Sequence, residues 1–276
     1  MVFRGSTLIM IFIIFMKEAC IFMRLKKSIT VGLVIMLILA LSGTICLASE
    51  GGAGEKIRIM CYGDSNTWGF TQRPNVKRYP SDVRWTGVLQ NNLGNDYQII
   101  EEGLSSRTAG IDDYKNGLNE YIQYDMNFNG RPTLLPLLKS HIPLDVVVIM
   151  LGTNDFKVKF RQTPEMVAES MDKLVKLVTN SVDPEQEWYG YSVPKVLIVA
   201  PTPLNATKES FAANNGPSHE LAKLYEKVAQ ANGVDFFDAG KVVPVPGMKD
   251  GIHLTANQHK ILGDALTQKI RSMLNE

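Results

Sequence analysis

Two short apolar runs without alternation, Val146 to Met150 and Val196 to Val199, place the tightest limit on the fold of this chain. A strand that is apolar at every position must be covered on both faces, as the central strands of a parallel sheet are. Further runs rich in valine and isoleucine alternate with segments of helical periodicity, which indicates right-handed crossovers with helices on both faces. The chain is therefore predicted to be an α/β protein, a three-layer α/β/α sandwich with a mainly parallel five-stranded sheet.

The predicted elements follow one another regularly along the chain. The strands are Ile57 to Cys61, Tyr97 to Glu101, Asp145 to Leu151, Lys195 to Ala200 and Val234 to Phe237, and the helices are Trp85 to Leu93, Pro164 to Thr179, His219 to Asn232 and Ala256 to Leu274. The long connections Ser105 to Thr133 and Pro201 to Ser218 both follow strands, whereas Asn92 to Asp96 is short. Ligands of open α/β sheets bind beyond the carboxyl ends of the strands, so this elaboration predicts a site there.

Residues 1–48 differ in composition from the rest of the chain. The basic stretch Met23 to Lys27, the apolar run Ile29 to Leu41 and the small residues at Cys46 to Ala48 have the order of an export signal. We predict that translation starts at the first residue of the basic stretch, that cleavage follows the last small residue, and that the protein is exported to the periplasm, cell surface or medium. The alternative is an uncleaved anchor, because Ser28 to Ala48 is uncharged and has the ~20 residues that a spanning helix needs.

Residues 49–55 are rich in glycine and are predicted to form a linker, which leaves residues 56–276 as one domain. The whole chain has 29 basic and 28 acidic residues. Residues 1–48 contain five of the basic residues and one of the acidic residues, so the remainder has 24 and 27 and a formal charge of −3. This mildly acidic composition gives no indication of the basic surface that binds nucleic acid. Cys61 is the one cysteine after residue 48, and neither Cys-x-x-Cys nor His-Glu-x-x-His occurs, so we expect no disulfide, metal or cofactor.

Polar clusters come after four of the predicted strands. They contain Ser65 after the first strand, Glu102 to Ser105 after the second, Gly152 to Asp155 after the third and Asp250 to Leu254 after the fifth. Because the carboxyl ends of parallel strands lie at one edge of a sheet, we expect all four clusters to meet there. No Gly-x-Gly-x-x-Gly or Walker loop follows the first strand, which disfavours a nucleotide-binding domain.

The chemistry that fits these clusters is acyl transfer through a serine ester. A serine hydroxyl needs a base to remove its proton, and a histidine does so when a carboxylate holds its ring in one tautomer. Of the four histidines, His253 follows Asp250 by three residues, just before the last predicted helix. Each residue also has a simpler interpretation, since Ser65 could cap a helix, Asp250 could form a turn and a lone histidine commonly packs in a core.

An oxyanion that develops during acyl transfer needs preorganised donors. The backbone N–H groups of Ser65 and Gly103 and the side-chain amide of Asn154 are the candidates. The simpler interpretations are a glycine that permits a left-handed turn and an asparagine that caps the next helix.

The order and spacing of these clusters resemble a known family. Gly63-Asp64-Ser65, Gly103, Gly152-Thr153-Asn154-Asp155 and Asp250-x-x-His253 resemble the four sequence blocks of the GDSL or SGNH hydrolases. The segments Arg84 to Leu89, Glu101 to Thr108 and Met150 to Asp155 further resemble the arylesterase and acyltransferase subgroup, and the resemblance covers Lys56 to Leu274. It implies the flavodoxin-like fold of SGNH hydrolases.

The resemblance also implies residue roles. Ser65 would be the nucleophile, His253 the general base and Asp250 the residue that orients it, with Ser65, Gly103 and Asn154 as the oxyanion hole. Two positions depart from the family pattern: Asn66 replaces the leucine of the older family name, and Glu102 stands where many members have asparagine. A Gly-x-Ser-x-Gly elbow is absent, which argues against the other large class of α/β esterases.

The predicted function is a serine esterase that acts on short, acetyl-type esters of small molecules or carbohydrates, with transfer to alcohols as an added activity. Asp64, Trp68, Phe156 and the aromatic segment Ile111 to Phe128 are predicted to wall the substrate pocket. Lysophospholipase or thioesterase action on longer chains and a non-catalytic carbohydrate-binding relic are the alternatives. Self-association is common in the subgroup, so a homo-oligomer with contacts through Ser105 to Thr133 is a further expectation.

Overall fold

The computed structural model describes residues 55–113, 127–182 and 191–275. The strands are β1 (Ile57–Gly63), β2 (Phe70–Arg73), β3 (Val76–Arg78), β4 (Tyr97–Gly103), β5 (Val146–Met150), β6 (Lys195–Ala200) and β7 (Asp235–Asp238). The helices are α1 (Ser65–Trp68), α2 (Trp85–Leu93), α3 (Gly130–His141), α4 (Pro164–Thr179), α5 (Glu209–Ala212), α6 (Asn215–Ser218), α7 (Leu221–Asn232) and α8 (Ala256–Leu274). Short 3-10 turns lie at Asn154–Phe156, Val158–Phe160 and Ala239–Lys241.

The main sheet has five strands in the order β4-β1-β5-β6-β7, and every neighbouring pair is parallel. The predicted α/β class and mainly parallel five-stranded sheet are confirmed. The chain adds β4 on one side of β1 and then β5 on the other, so the strand order reverses at β1. Such a reversal opens a crevice at the carboxyl ends of the strands, and Ser65 begins the helix that follows β1.

Alternate residues of the strands point to opposite faces, which gives the molecule its two cores. The face of Met60 and Ile149 packs against α3, α4 and α7, and the face of Cys61 and Val148 packs against α2 and α8. The side chains of β5 are all buried, as its continuous apolar sequence predicted. This arrangement is the predicted three-layer sandwich.

The ends of the longer helices follow from their caps. Thr163 accepts a hydrogen bond from the Met166 N–H just ahead of α4, whose first residue is proline. Thr255 and Gln258 form a reciprocal capping box at the start of α8. The bounds of α2, α4 and α8 agree with the sequence prediction, whereas α7 begins two residues later than predicted, after the separate helix α6.

Helix α3 and the antiparallel pair β2 and β3 were not predicted. Two prolines, Pro132 and Pro136, hide the helical pattern of α3, although Asn129 caps it by accepting from the Arg131 N–H at 2.9 Å. The strands β2 and β3 are short and have an irregular register, which leaves no clear alternation in the sequence.

Several predictions from the sequence fall outside the described residues. They concern the signal or anchor of residues 1–48, nearly all of the linker of residues 49–55, and residues 114–126 of the aromatic segment. Within the ranges that are described, no helix is both long and apolar enough to cross a membrane.

Candidate active site

The turn between β1 and α1 places Ser65 at the carboxyl edge of the sheet. Asp64 caps α1, because its side chain accepts a hydrogen bond from the Asn66 N–H at 2.8 Å. A β-carbon on Gly63 would lie 2.0 Å from Oγ1 of Thr67, and one on Gly103 would lie 2.3 Å from a backbone nitrogen of α1. The two glycines therefore allow α1 to sit directly on the ends of β1 and β4.

Ser65 and His253 meet although 188 residues separate them. Oγ of Ser65 lies 2.9 Å from Nε2 of His253, and Nδ1 of the same ring lies 2.6 Å from Oδ2 of Asp250. The predicted proximity of the two ends of the domain is confirmed. A hydroxyl, an imidazole and a carboxylate in this order are the arrangement that activates a serine.

The carboxylate of Asp250 is held in its ionised form. Burial pushes the pKa of Asp250 upward, but the hydrogen bond from His253 and the backbone N–H groups of Ile252 and His253, both at 3.1 Å, lower the pKa to about 2. A carboxylate ionised at neutral pH accepts the Nδ1–H proton of the ring. That tautomer leaves the Nε2 lone pair directed at Ser65.

The loop that carries His253 is shaped by Gly251. This glycine has a φ of 66°, and a β-carbon there would lie 1.7 Å from the backbone oxygen of Asn205. Its N–H donates to the carbonyl of Met248, and its own carbonyl accepts from the Asn205 N–H, both at 2.9 Å. The turn can thus place Asp250 and His253 on the same side only with glycine between them.

Asn66 connects the serine turn to the histidine loop. Its Nδ2 donates to the carbonyl of Ile252 at 3.2 Å, and its Oδ1 accepts from the Leu254 N–H at 3.1 Å. These two bonds flank His253 on both sides and fix the backbone from which its ring projects. The sequence marked Asn66 only as a departure from the family pattern, because a contact over this separation leaves no local signal.

The three predicted oxyanion donors lie at the ends of neighbouring strands. Gly103 is the last residue of β4 and pairs with Gly63, while Ser65 is the first residue of α1, where a backbone N–H has no partner within the helix. Asn154 begins the 3-10 turn after β5, and its Nδ2 donates to the carbonyl of Arg107 at 3.1 Å and more weakly to Asp64 at 3.4 Å. These bonds fix the orientation of the Asn154 side chain, which lines the same cavity as Ser65.

A cavity of about 570 Å³ opens onto the serine. Ser65, Asn154 and His253 line it, and the rest of its wall is largely aromatic and aliphatic: Trp68, Phe70, Leu104, Phe128, Phe211 and Ile252. Trp68 and Phe128 were expected in this wall, whereas Phe70 and Phe211 were not predicted.

Phe70 belongs to the hairpin β2–β3 and packs on the catalytic candidate. Its ring centroid lies 4.3 Å from that of His253, with an angle of 37° between the planes. Arg78 ties this hairpin to the domain by donating to the Trp68 carbonyl at 2.7 Å and pairing with Glu101 of β4. The hairpin therefore covers one side of the imidazole.

Two residues predicted for the pocket wall lie elsewhere. Phe156 is 1% exposed and belongs to the core, because the 3-10 turn after β5 directs it inward. Asp64 is also 1% exposed and does not line the cavity, since its carboxylate is occupied by the cap of α1 and by Asn154. Burial raises the pKa of Asp64. Both residues support the site from behind.

Two further residues that the sequence did not single out join the loops of the site. The buried carboxylate of Asp155 accepts from the N–H of Ala109 at 2.8 Å, and burial raises the pKa of Asp155 to about 6. The guanidinium of Arg107 is buried over the ring of Tyr62 and donates to the Gly63 carbonyl at 2.9 Å. Both lie in segments that resemble the subgroup, which is the signal that could have revealed them.

The other described histidines do not line the cavity that contains Ser65. Nε2 of His141 is 2.8 Å from Glu102, and His219 is exposed. His259 is fully buried, accepts from the Trp85 N–H at 3.3 Å, and has a pKa lowered to about 4 by that burial. Among residues 55–113, 127–182 and 191–275, no group of three or more histidine, cysteine or acidic side chains could hold a metal ion.

Residues 61–261 match the family described as GDSL-like Lipase/Acylhydrolase. The chain belongs to this family. The M. smegmatis aryl esterase is 41% identical with a TM-score of 0.69, covering 78% of this chain and 99% of that one. Est24, a carbohydrate acetylesterase from Sinorhizobium meliloti, is 39% identical with a TM-score of 0.68, covering 79% of this chain and 100% of that one.

A curated relative shows a more distant similarity. The acetylxylan esterase of Xylanibacter ruminicola is 26% identical over 230 residues, which cover 79% of this chain and 44% of the relative. The chain therefore spans less than half the length of this relative.

Proposed function

We propose that this protein is a serine esterase that hydrolyses short, acetyl-type esters through an acyl-enzyme. The observation that carries the proposal is the continuous chain of contacts from Ser65 through His253 to Asp250, at 2.9 and 2.6 Å. The family membership and the esterases among the similar structures support it.

In the first step, Oγ of Ser65 attacks the ester carbonyl carbon while Nε2 of His253 takes the hydroxyl proton. Asp250 stays ionised and stabilises the imidazolium that forms, as its low pKa allows. The imidazolium then gives its proton to the departing alcohol oxygen, which leaves the acyl group on Ser65.

The negative oxygen of the tetrahedral intermediate needs donors that are already in place. The N–H groups of Ser65 and Gly103 and the amide of Asn154 serve as these donors in the proposed mechanism. Loss of one such donor typically costs about 10²–10³-fold in rate. Water, activated by His253 in the same manner, then attacks the acyl-enzyme and releases the acid.

A short acyl group suits the apolar wall of the cavity. Trp68 and Phe70 line the cavity together with Ser65 and offer apolar surface to the acyl group. Carbohydrate or small-molecule acetyl esters are the proposed substrates, as the names of the similar esterases suggest. A lysophospholipase or thioesterase would need a longer apolar channel.

The decisive experiment compares p-nitrophenyl acetate, butyrate and octanoate as substrates. We expect kcat/KM to fall from acetate to octanoate, and Ser65→Ala to lose on the order of 10⁴-fold or more, because triad members act as a unit. Ser140→Ala, which changes an exposed serine of α3, is the matched control. A Ser65→Ala protein as active as this control would remove the mechanism, and a preference for octanoate would favour the longer-chain alternative.

We also propose that alcohols compete with water for the acyl-enzyme. The apolar wall around Ser65 favours an alcohol with a small apolar group over water at the same position. In rising ethanol, ethyl acetate should form at the expense of acetate while p-nitrophenol release continues. Release of acetate alone at every ethanol concentration would contradict this activity.

The export of the protein is a further proposal. It rests on the basic and apolar order of Met23 to Leu41 and on the small residues before Ser49. Amino-terminal sequencing of the protein from its native cells should begin at Ser49. A mature protein that retains Met23 would favour the uncleaved anchor.

A further inference from the structure

Arg107 is a buried arginine beside the candidate active site. It is 4% exposed, and its guanidinium lies 4.1 Å from the centroid of the Tyr62 ring. No carboxylate of the described residues forms an ion pair with it. Desolvation lowers the pKa of the guanidinium, so its burial is unfavourable by itself. The hydrogen bonds of Arg107 therefore show what this costly side chain holds in place.

The guanidinium joins the carboxyl ends of β1 and β4. Its Nη1 donates to the carbonyl of Gly63 at 2.9 Å and also to the carbonyl of Glu102. Gly63 is the last residue of β1 and lies two residues before Ser65. The side chain of Arg107 is thus attached directly to the turn that carries the nucleophile.

The main chain of Arg107 holds the amide of Asn154. Nδ2 of Asn154 donates to the Arg107 carbonyl at 3.1 Å, whereas its contact with Asp64 is longer, at 3.4 Å. A side-chain amide nitrogen has two hydrogens to donate. The bond to Arg107 uses one hydrogen and orients the amide, which leaves the more weakly held hydrogen for an oxyanion.

Arg107 consequently links two parts of the site that come from different strands. Ser65 follows β1, Asn154 follows β5, and Arg107 lies in the connection after β4. Its side chain contacts the first of these segments and its carbonyl contacts the second. Without the guanidinium bonds, the amide of Asn154 would follow the connection after β4 rather than the serine turn.

We propose that Arg107 is a positioning residue of the esterase, which sets the place of the Asn154 amide relative to Ser65 so that the oxyanion meets a donor already in line. The inference rests on the proposed function and adds a residue to its mechanism. A misplacement of about 1 Å costs on the order of 10²-fold in rate, and an effect of this size is expected here.

A double-mutant cycle tests whether Arg107 acts through Asn154. Arg107→Met removes the guanidinium bonds but keeps an unbranched chain over the Tyr62 ring. With p-nitrophenyl acetate, this change should lower kcat by about 10²-fold and leave KM nearly unchanged, because the donor acts in the transition state. In Asn154→Ala, which itself should lose about 10²–10³-fold, the same change should cost less than about threefold more. An equal loss in both backgrounds, as a purely structural role predicts, would overturn the proposal.

Arg58→Met is the matched control. Arg58 lies near the amino end of β1, and its Nε, like that of Arg107, is buried without a hydrogen-bond partner among the described residues. It does not line the cavity that contains Ser65. We expect Arg58→Met to lower stability while kcat per active site, counted by titration with diethyl p-nitrophenyl phosphate, stays at the native value in both backgrounds.

Arg107→Lys decides the question if Arg107→Met does not fold. Lysine keeps a donor near the two carbonyls but lacks the planar guanidinium, so kcat should fall by about tenfold in the native background and little further in Asn154→Ala. A native kcat, or the same loss in both backgrounds, would contradict the proposal.

The remaining outcomes separate this inference from the proposed function. Native activity in Asn154→Ala would overturn the donor role of Asn154 and the positioning role of Arg107, while the esterase proposal stands on Ser65. A native protein that hydrolyses none of the p-nitrophenyl esters, or a Ser65→Ala protein as active as the native one, would instead overturn the esterase proposal itself.

Discussion

Two buried carboxylates at the same edge of the sheet have pKa values that are shifted in opposite directions. Asp250, in the loop after β7, is 3% exposed and has a pKa of about 2, whereas Asp155, in the turn after β5, is 0% exposed and has a pKa of about 6. Both accept backbone N–H groups, and Asp250 is in addition hydrogen-bonded to the ring of His253. Burial alone therefore does not decide the charge of a carboxylate, and a hydrogen-bonded histidine marks the one suited to catalysis.

The largest effect is expected when the charge of Asp250 is removed. Asp250→Asn keeps an acceptor for the Ile252 and His253 N–H groups but favours the wrong tautomer of the ring, so kcat/KM should fall by about 10³–10⁴-fold. Kinetics with p-nitrophenyl acetate measure the loss, and Asp155→Asn is the control at the other carboxylate. A loss of less than tenfold would show that the charge of Asp250 matters little for catalysis, and would contradict the distinction drawn between Asp250 and Asp155.

His259 extends the comparison to a buried base. The pKa of His259 is about 4 when folded and ordinarily 6.5, so its charged form disfavours the folded state. Its contribution to stability is full above pH 6.5 and is lost as the pH falls towards 4, by about 3 kcal/mol in total. Urea unfolding from pH 7 to 4 should show a shallower decline for His259→Gln. An exposed histidine is changed in the control His219→Gln, which should retain the full decline.

The contribution of Asp155 to stability should depend on pH in the opposite direction to that of His259, over a similar pH range. Its pKa is raised from an ordinary 3.8 to about 6, so the folded state prefers the protonated form. The contribution of Asp155 is favourable at low pH and is lost as the pH rises from about 4 to 6, by up to about 3 kcal/mol. The stability of the native protein relative to Asp155→Asn should fall over this interval. Asp96→Asn, at an exposed position, should give no such trend, and a flat difference for Asp155→Asn would refute the raised pKa.

The smallest effect concerns the link between the serine turn and the loop of Asp250. Asn66→Leu removes both bonds that flank His253 but introduces the residue common in the family, so the protein should fold. We expect kcat to fall by about tenfold with little change in KM, because the ring is less well placed for proton transfer. Asn92→Leu, on the surface of α2, is the control. A rise in KM without a fall in kcat would show that Asn66 acts on binding instead.

The sequence predicted the parts of the site that follow directly from strand order. Ser65, Asp250 and His253 each come after a strand, and parallel strands end at the same edge, so their meeting could be inferred without any coordinates. The continuous apolar sequence of β5 likewise revealed a buried central strand.

The features that were missed depend on contacts between distant residues. The bonds of Asn66 to the backbone around His253, and the stacking of Phe70 on its ring, leave no periodic pattern in either segment. Phe156 was assigned to the pocket because it is aromatic, but it ends the 3-10 turn Asn154–Phe156 and packs in the core. Helix α3 was obscured by two prolines that its cap and packing offset.

The hairpin β2–β3 has a consequence for how this enzyme scaffold can change. Phe70 shields the imidazole from one side, yet the hairpin contributes no strand to the main sheet and is secured through Arg78 to Trp68 and Glu101. Exchange of its sequence can reshape access to the serine while the hydroxyl stays in α1 and the ring and carboxylate stay in the loop before α8. Selectivity and reactivity therefore reside in separable parts of the molecule, which makes this hairpin the first segment to randomise when a new ester is sought.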